Sequence, residues 1–203
     1  MERPCFTTRH DFDSLPTATK VEVRPAESVE IPDIAAMARS MVPGVQIGEQ
    51  GLKRHHLHDD ECILVFAQRD RLLGGMAFLY LSERGHDALM LGELSPTHPD
   101  FNLLAKRDEQ VAAIYIWAIG AVGRGIAGLG KMAAHLRKPR YVDANCFAQP
   151  STAAGRELMI ATGFRPIPSR QPDLWCYERP WKRLPPGVGV SSFSAGSVSD
   201  ARY

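Results

Sequence analysis

No stretch of this chain is long and apolar enough to cross a bilayer as a helix. Its first residues, Met1-Glu2-Arg3-Pro4, carry none of the apolar run a secretory signal needs. An excess of one charge is missing too. Lys and Arg number 24 against 23 Asp and Glu, a formal net charge of +1, so nothing in the balance calls for nucleic acid or an anionic membrane as partner. Cysteine is sparse: Cys5, Cys62, Cys146 and Cys176 lie far apart, form no C-x-x-C pair and sit mostly in apolar runs. That pattern reads as reduced core thiols rather than a disulfide framework. Internal repeats are absent as well. A cytoplasmic protein is the expectation.

What is present fits one substantial domain, since 203 residues suffice to bury a core. Residues 1–19 lack periodicity and read as an irregular arm. Lys20-Val21-Glu22-Val23-Arg24 alternates as a half-buried strand does, and a helix follows from Pro32 through Ile34, Met37, Ala38 and Met41 to Pro43-Gly44. Gln46 to Leu57 is helix or loop. Cys62 to Ala67 and Leu72 to Leu81 form an antiparallel hairpin, with Gly74-Gly75 marking a bulge. Ala88 to Leu94 reads as a further strand, and Ser95 to Asp100 as a loop. A strand from Ile114 then enters a glycine-rich turn and a helix that ends before Pro139. Tyr141 to Phe147 is the next strand, and a helix capped by Ser151 or Thr152 closes at Gly163. Phe164 to Ile167 and Leu174 to Tyr177 are closing strands. From residue 182 to 203, proline, glycine and serine dominate, which predicts a disordered tail behind a domain spanning 20–181. The fold class is α/β: one mixed, mostly antiparallel sheet flanked by helices.

The glycine-rich segment carries the chemistry. A strand that turns through glycines into a helix leaves amide N–H groups unpaired at the helix start, and with the helix dipole these favour an anion such as phosphate. Alone the signal is weak. A dinucleotide-binding fold is disfavoured because its glycine fingerprint opens successive βα units, whereas this one lies past mid-chain, after antiparallel strands. Tyr115, Trp117 and Ile119 share one face of the strand and Ile114, Ile116 and Ala118 the other; both faces are apolar, as a central strand requires.

Three sets of residues together resemble the GCN5-related N-acetyltransferase superfamily. Val23-Arg24-Pro25-Ala26 with Glu30-Ile31-Pro32-Asp33-Ile34 resembles its opening strand and helix. Gly125-Ile126-Ala127-Gly128-Leu129-Gly130 resembles its acyl-CoA motif, Gln/Arg-x-x-Gly-x-Gly/Ala, and Asn145 with Thr162-Gly163-Phe164 resembles its Asn…Gly-Phe ending. The resemblance covers roughly Lys20 to Arg179. It implies acetyl-CoA or another acyl-CoA as cosubstrate, with no metal, and a small-molecule amine or protein amino group as acceptor. A homodimer is compatible with it. It further implies that Ile119, Gly120 and Ala121 hold the acyl-pantetheine, that Gly125, Ile126, Ala127, Gly128, Leu129, Gly130 and Lys131 surround the pyrophosphate, and that Asn145 joins the cofactor site. An amide near Gly120 would stabilise the oxyanion.

The sequence departs from that pattern twice. Gly125 stands where the motif has Gln or Arg, with Arg124 one residue early, and Met159 stands where many members have a tyrosine acid. Methionine cannot protonate a leaving thiolate. Glu93 and Tyr177 are the candidate replacements, and Cys146 is a third. Two alternatives stay open: a catalytically silent coenzyme A sensor or protein-interaction domain, and a transferase for a longer acyl chain, its pocket reshaped by Leu91 to Gln110. His55-His56-Leu57-His58-Asp59-Asp60 reads as a solvated loop rather than a metal site, with Asp59 and Asp60 attracting the amine.

Overall fold

A computed structural model describes residues 11–41 and 47–180. Seven strands form one sheet: β1 (Glu22–Pro25), β2 (Ile63–Gln68), β3 (Arg71–Leu81), β4 (Ala113–Ala121), β5 (Asn145–Ala148), β6 (Arg165–Pro166) and β7 (Trp175–Tyr177). Their order is β1-β2-β3-β4-β5-β7-β6, and every neighbouring pair is antiparallel except β4 with β5. A parallel pair needs a crossover. Here it runs through a 3-10 turn, Gly123–Gly128, and a short helix. The helices are α1 (Ile31–Met41), α2 (Glu49–His58), α3 (Glu83–Leu91), α4 (Leu129–His135) and α5 (Ala153–Ala161). This is the mixed, mostly antiparallel, helix-flanked sheet that the sequence predicts.

The pleat sorts the helices onto two faces. Ile63 and Val65 of β2 face Met37 of α1 and Leu52 of α2, whereas Phe66, one residue on, meets the turn that leads into α4. Leu79 and Tyr115, opposite each other on β3 and β4, share a core with Leu89 of α3. Thus α1, α2 and α3 cover one face, and α4 and α5 the other. Local chemistry fixes several ends: the Thr152 hydroxyl accepts the Gly155 N–H at 3.0 Å to cap α5, and Gly163, at φ 90°, lies just past its C-terminus.

Three elements differ from the sequence reading. The run from Ala88 to Leu94 belongs mostly to α3, not to a strand, because Ser82 caps its start through the Gly85 N–H and Gly92, at φ 75°, ends it. The histidine-rich run is no loop either, since α2 extends to His58. Tyr141 to Ala144 form turns, so the strand read from Tyr141 begins at Asn145. Pro43 and Gly44, and the tail from residue 182, lie outside the described residues.

Residues 11–19 are irregular apart from a 3-10 turn at Phe12–Ser14, yet they pack into the core. Phe12 meets Phe164 edge-on at 5.6 Å and tilts against Tyr177 at 5.2 Å. Asp13 pairs with Arg179 at 2.5 Å, and the fully buried guanidinium also donates to the carbonyls of Ala144 and Leu136, each at 2.9 Å. A buried charge persists where its donors are matched in this way.

Candidate functional site

β4 and β5 part halfway along their length. Four pairs join them, from Ala113 opposite Asn145 to Ile116 opposite Ala148, and β4 then continues for five residues with no strand on that edge among the described residues. On its other edge β4 stays paired with β3 as far as Ala121, but the register slips: Phe78 faces Ile116 and Ala77 faces Ala118. Trp117 is therefore the extra residue of a β-bulge, placed where the strands diverge. A bulge re-aims the side chains beyond it. Ile119 and Ala121 consequently pack with the core that also holds Ile114 and Ile116, so the expected sharing of one face by Tyr115, Trp117 and Ile119 does not hold past the bulge.

The slot left by this divergence fits an amide-containing arm such as pantetheine, because the free edge of Trp117 to Ala121 keeps backbone donors and acceptors available. Gly120 lies under α1: a side chain there would come within 3.1 Å of the Met41 terminal methyl. Between α1 and the sheet is a cavity of about 40 Å³, bordered by Met37, Met41, Met76 and the stretch from Trp117 to Gly120.

The glycine-rich turn is built differently from the cradle that the sequence suggests. The bare sides of its buried glycines face protein: a Cβ on Gly130 would stand 1.9 Å from the Pro16 carbonyl oxygen, on Gly125 2.8 Å from the Leu73 carbonyl oxygen, and on Gly128 3.0 Å from the Phe66 ring. Internal packing by itself accounts for their smallness. The turn also consumes amides, Gly125 donating to Val122 at 3.0 Å and Leu129 to Ile126. The N–H groups of Gly123 and Arg124 lie outside that ladder. Gly123, at φ 54°, has open space where a side chain would be, and Arg124 is exposed beside it. Ile126 and Lys131 are half-buried, Ala127 is exposed and Leu129 is buried. The part of the segment that best fits a phosphate is thus its first turn.

The other candidates are not brought together. Asn145 starts β5 at the closed end of the β4–β5 pair, and its Oδ1 accepts the Arg179 N–H at 3.1 Å, so it stands away from the slot. Tyr177 is fully buried opposite Cys146; its hydroxyl bonds the Asp11 carboxylate and accepts the Asp13 N–H. Burial and the Asp11 contact push its pKa well above the usual phenol range, which makes it a poor proton donor. Glu93 is exposed just past the end of α3, its N–H bonded to the Ala88 carbonyl. Cys146 is fully buried, and desolvation pushes its thiol up to about 12. Asp59 pairs with Arg140 at 2.7 Å and Asp60 with Arg107 at 2.8 Å, so neither is a loose attractor for an amine.

His55 is the residue whose place sequence reasoning missed. It is 3% exposed on α2, its ring centroid lies 5.7 Å from that of Trp117 at the bulge, and neither ring nitrogen makes a well-formed hydrogen bond among the described residues. Desolvation, reinforced by Arg54, holds its pKa down at about 4. A neutral imidazole therefore sits against the diverging strand. The three-residue step from buried Leu52 to His55 on one helix face was the available signal.

No protein-family model matches the chain, and no curated protein matches its sequence. Solved structures do match its shape. The loading GNATL domain of CurA from Lyngbya majuscula superposes with a TM-score of 0.55 at 9% identity, covering 78% of this chain and 97% of that domain. Ard1 from Thermoplasma volcanium gives 0.50 at 10% identity, covering 78% of this chain and 95% of that one. The chain therefore has the acyl-CoA N-acyltransferase fold of the GCN5-related N-acetyltransferases.

Proposed function

We propose that this chain is an acyl-CoA-dependent N-acyltransferase acting on a primary amine, acetyl being the simplest acyl group. The observation that carries the reading is the coincidence of the strand divergence with the bulge at Trp117. The free edge of β4 would hold the pantetheine arm, and the N–H groups of Gly123 and Arg124, with the Arg124 side chain, would hold the pyrophosphate. Bound there, the thioester supplies an electrophilic carbonyl carbon. The amine nitrogen attacks that carbon directly, the C–S bond breaks, and the nitrogen gives up a proton as the amide forms while the departing thiolate takes one up. Backbone N–H groups past the bulge would stabilise the oxyanion, fixed donors being worth most where water is excluded. His55 is a titratable side chain in contact with Trp117. The acceptor is a small amine or a protein amino group.

A second reading, a coenzyme A sensor without turnover, is favoured by buried Met159 at the expected acid position and by the engagement of the Tyr177 hydroxyl with Asp11. Calorimetry with free coenzyme A and acetyl-CoA, followed by thiol release over a panel of amines, separates the two. Binding with thiol release on any amine supports the transferase. Binding without release on the whole panel supports the sensor, and no binding removes both.

A further inference from the structure

The cavity beside the bulge has a chemistry that the proposed reaction leaves unexplained. It is walled by Met37, Ala38 and Met41 of α1, Val65 of β2, Met76 of β3 and the stretch from Trp117 to Gly120 of β4, and every residue lining it is apolar or glycine. No carboxylate or other side-chain hydrogen-bond acceptor lines it, so the cavity offers the head of an amine acceptor no charged or hydrogen-bonding side-chain partner. It suits a hydrocarbon. Trp117 to Gly120 are also the residues whose free edge would hold the thioester, so the cavity opens off the place where the acyl carbon would lie. Three methionines in the wall supply unbranched side chains that adapt to an apolar guest.

Size narrows the guest. An apolar cavity of about 150 Å³ holds benzene, roughly 25 Å³ per carbon, so 40 Å³ accepts about two carbons. The methyl of an acetyl group would fill one of these places. We infer that the pocket receives the tail of an acyl group about three carbons long, and that this chain prefers propionyl-CoA to acetyl-CoA. The inference rests on the acyltransferase reading and adds the acyl class to it.

Competition calorimetry with free coenzyme A and its acetyl, propionyl, butyryl and octanoyl esters tests it. One further buried methylene is worth about fourfold in affinity, so propionyl-CoA binds about fourfold more tightly than acetyl-CoA, and octanoyl-CoA loses that gain. Ala38→Leu fills the pocket and collapses the propionyl-to-acetyl ratio toward one. Met37→Ala widens it and moves the best chain beyond three carbons, which keeps the test decisive if the first variant does not fold. Equal affinities for acetyl and propionyl esters, or ratios that neither variant moves, overturn the inference while leaving the acyltransferase reading intact. Failure of every ester and of free coenzyme A to bind overturns both.

Discussion

Ile116, the last residue of β4 to pair with β5, is followed directly by Trp117, the residue of β4 that has no counterpart on β3. One strand thus loses a neighbour on one edge and slips register on the other at the same point. The indole bridges the two core clusters and touches His55, so it holds the diverging strand in place from the α2 side.

Trp117→Ala removes that support. A fully buried Trp→Ala change costs about 3–5 kcal/mol, and because Trp117 is half-buried the loss in urea-unfolding free energy is about 2 kcal/mol. Coenzyme A affinity falls in the same variant; affinity unchanged beside a clear stability loss would separate the bulge from the slot.

Gly130→Ala tests the reassigned glycines. The new methyl would stand 1.9 Å from the Pro16 carbonyl oxygen, so residues 11–16 must leave α4 or the helix must shift. Overpacking of this kind costs about 1–3 kcal/mol. Hydrogen exchange at Phe12 to Ser14 should rise, and wild-type protection there would show that the arm is not seated on this glycine.

Tyr177→Phe distinguishes a scaffold hydroxyl from a catalytic one. Losing the bonds to Asp11 and Asp13 lowers stability by about 1–2 kcal/mol. Turnover per folded molecule stays within about twofold, since the group is remote from the slot; a kcat loss of about a hundredfold, the scale of a lost general acid, contradicts this.

Stability falls with acid in two windows. His55 has its folded pKa held at about 4, below the unfolded value of 6.5, so the neutral form is favoured in the fold. Its contribution is complete above pH 6.5 and is lost as pH falls through 4, a change on the order of 2–3 kcal/mol. Glu61 acts lower: desolvation opposes its ionisation, but hydrogen bonds from Lys138 and Tyr141 prevail and hold the carboxyl at about 2 against an ordinary 4.5. Its contribution is present above pH 4.5 and lost toward 2. Urea titrations from pH 7 to 4 should show the first loss in the wild type and a flatter profile in His55→Phe.

Most strands along the chain, the hairpin and the position of the glycine-rich turn were legible because buried strands such as Ile63 to Phe66 and Ile114 to Ile116 are continuous apolar runs between turn residues. α3 was not, since the short apolar run from Ala88 to Leu91 suits strand or helix equally; its caps, Ser82 and Gly92, were the better evidence. The bulge has no residue signature. Trp117 looks like any core aromatic, and only the pairing of β3 shows that it is supernumerary. Glycine is likewise ambiguous in sequence, for Gly130 could have been bare to admit a phosphate or to admit the chain, and the Pro16 carbonyl decides between them.

The strand order has a consequence for the chain as it leaves the ribosome. β7 lies between β5 and β6, and β6 pairs with no other described strand. Until residues 175–177 have emerged, β6 has no partner and the outer edge of β5 stays open, and Arg179 must follow before Asp13, 166 residues earlier, is neutralised. Synthesis thus delivers β7, the strand that joins β6 to the rest of the sheet, after both of its neighbours, and the nascent domain carries an unpaired edge on β5 in the meantime.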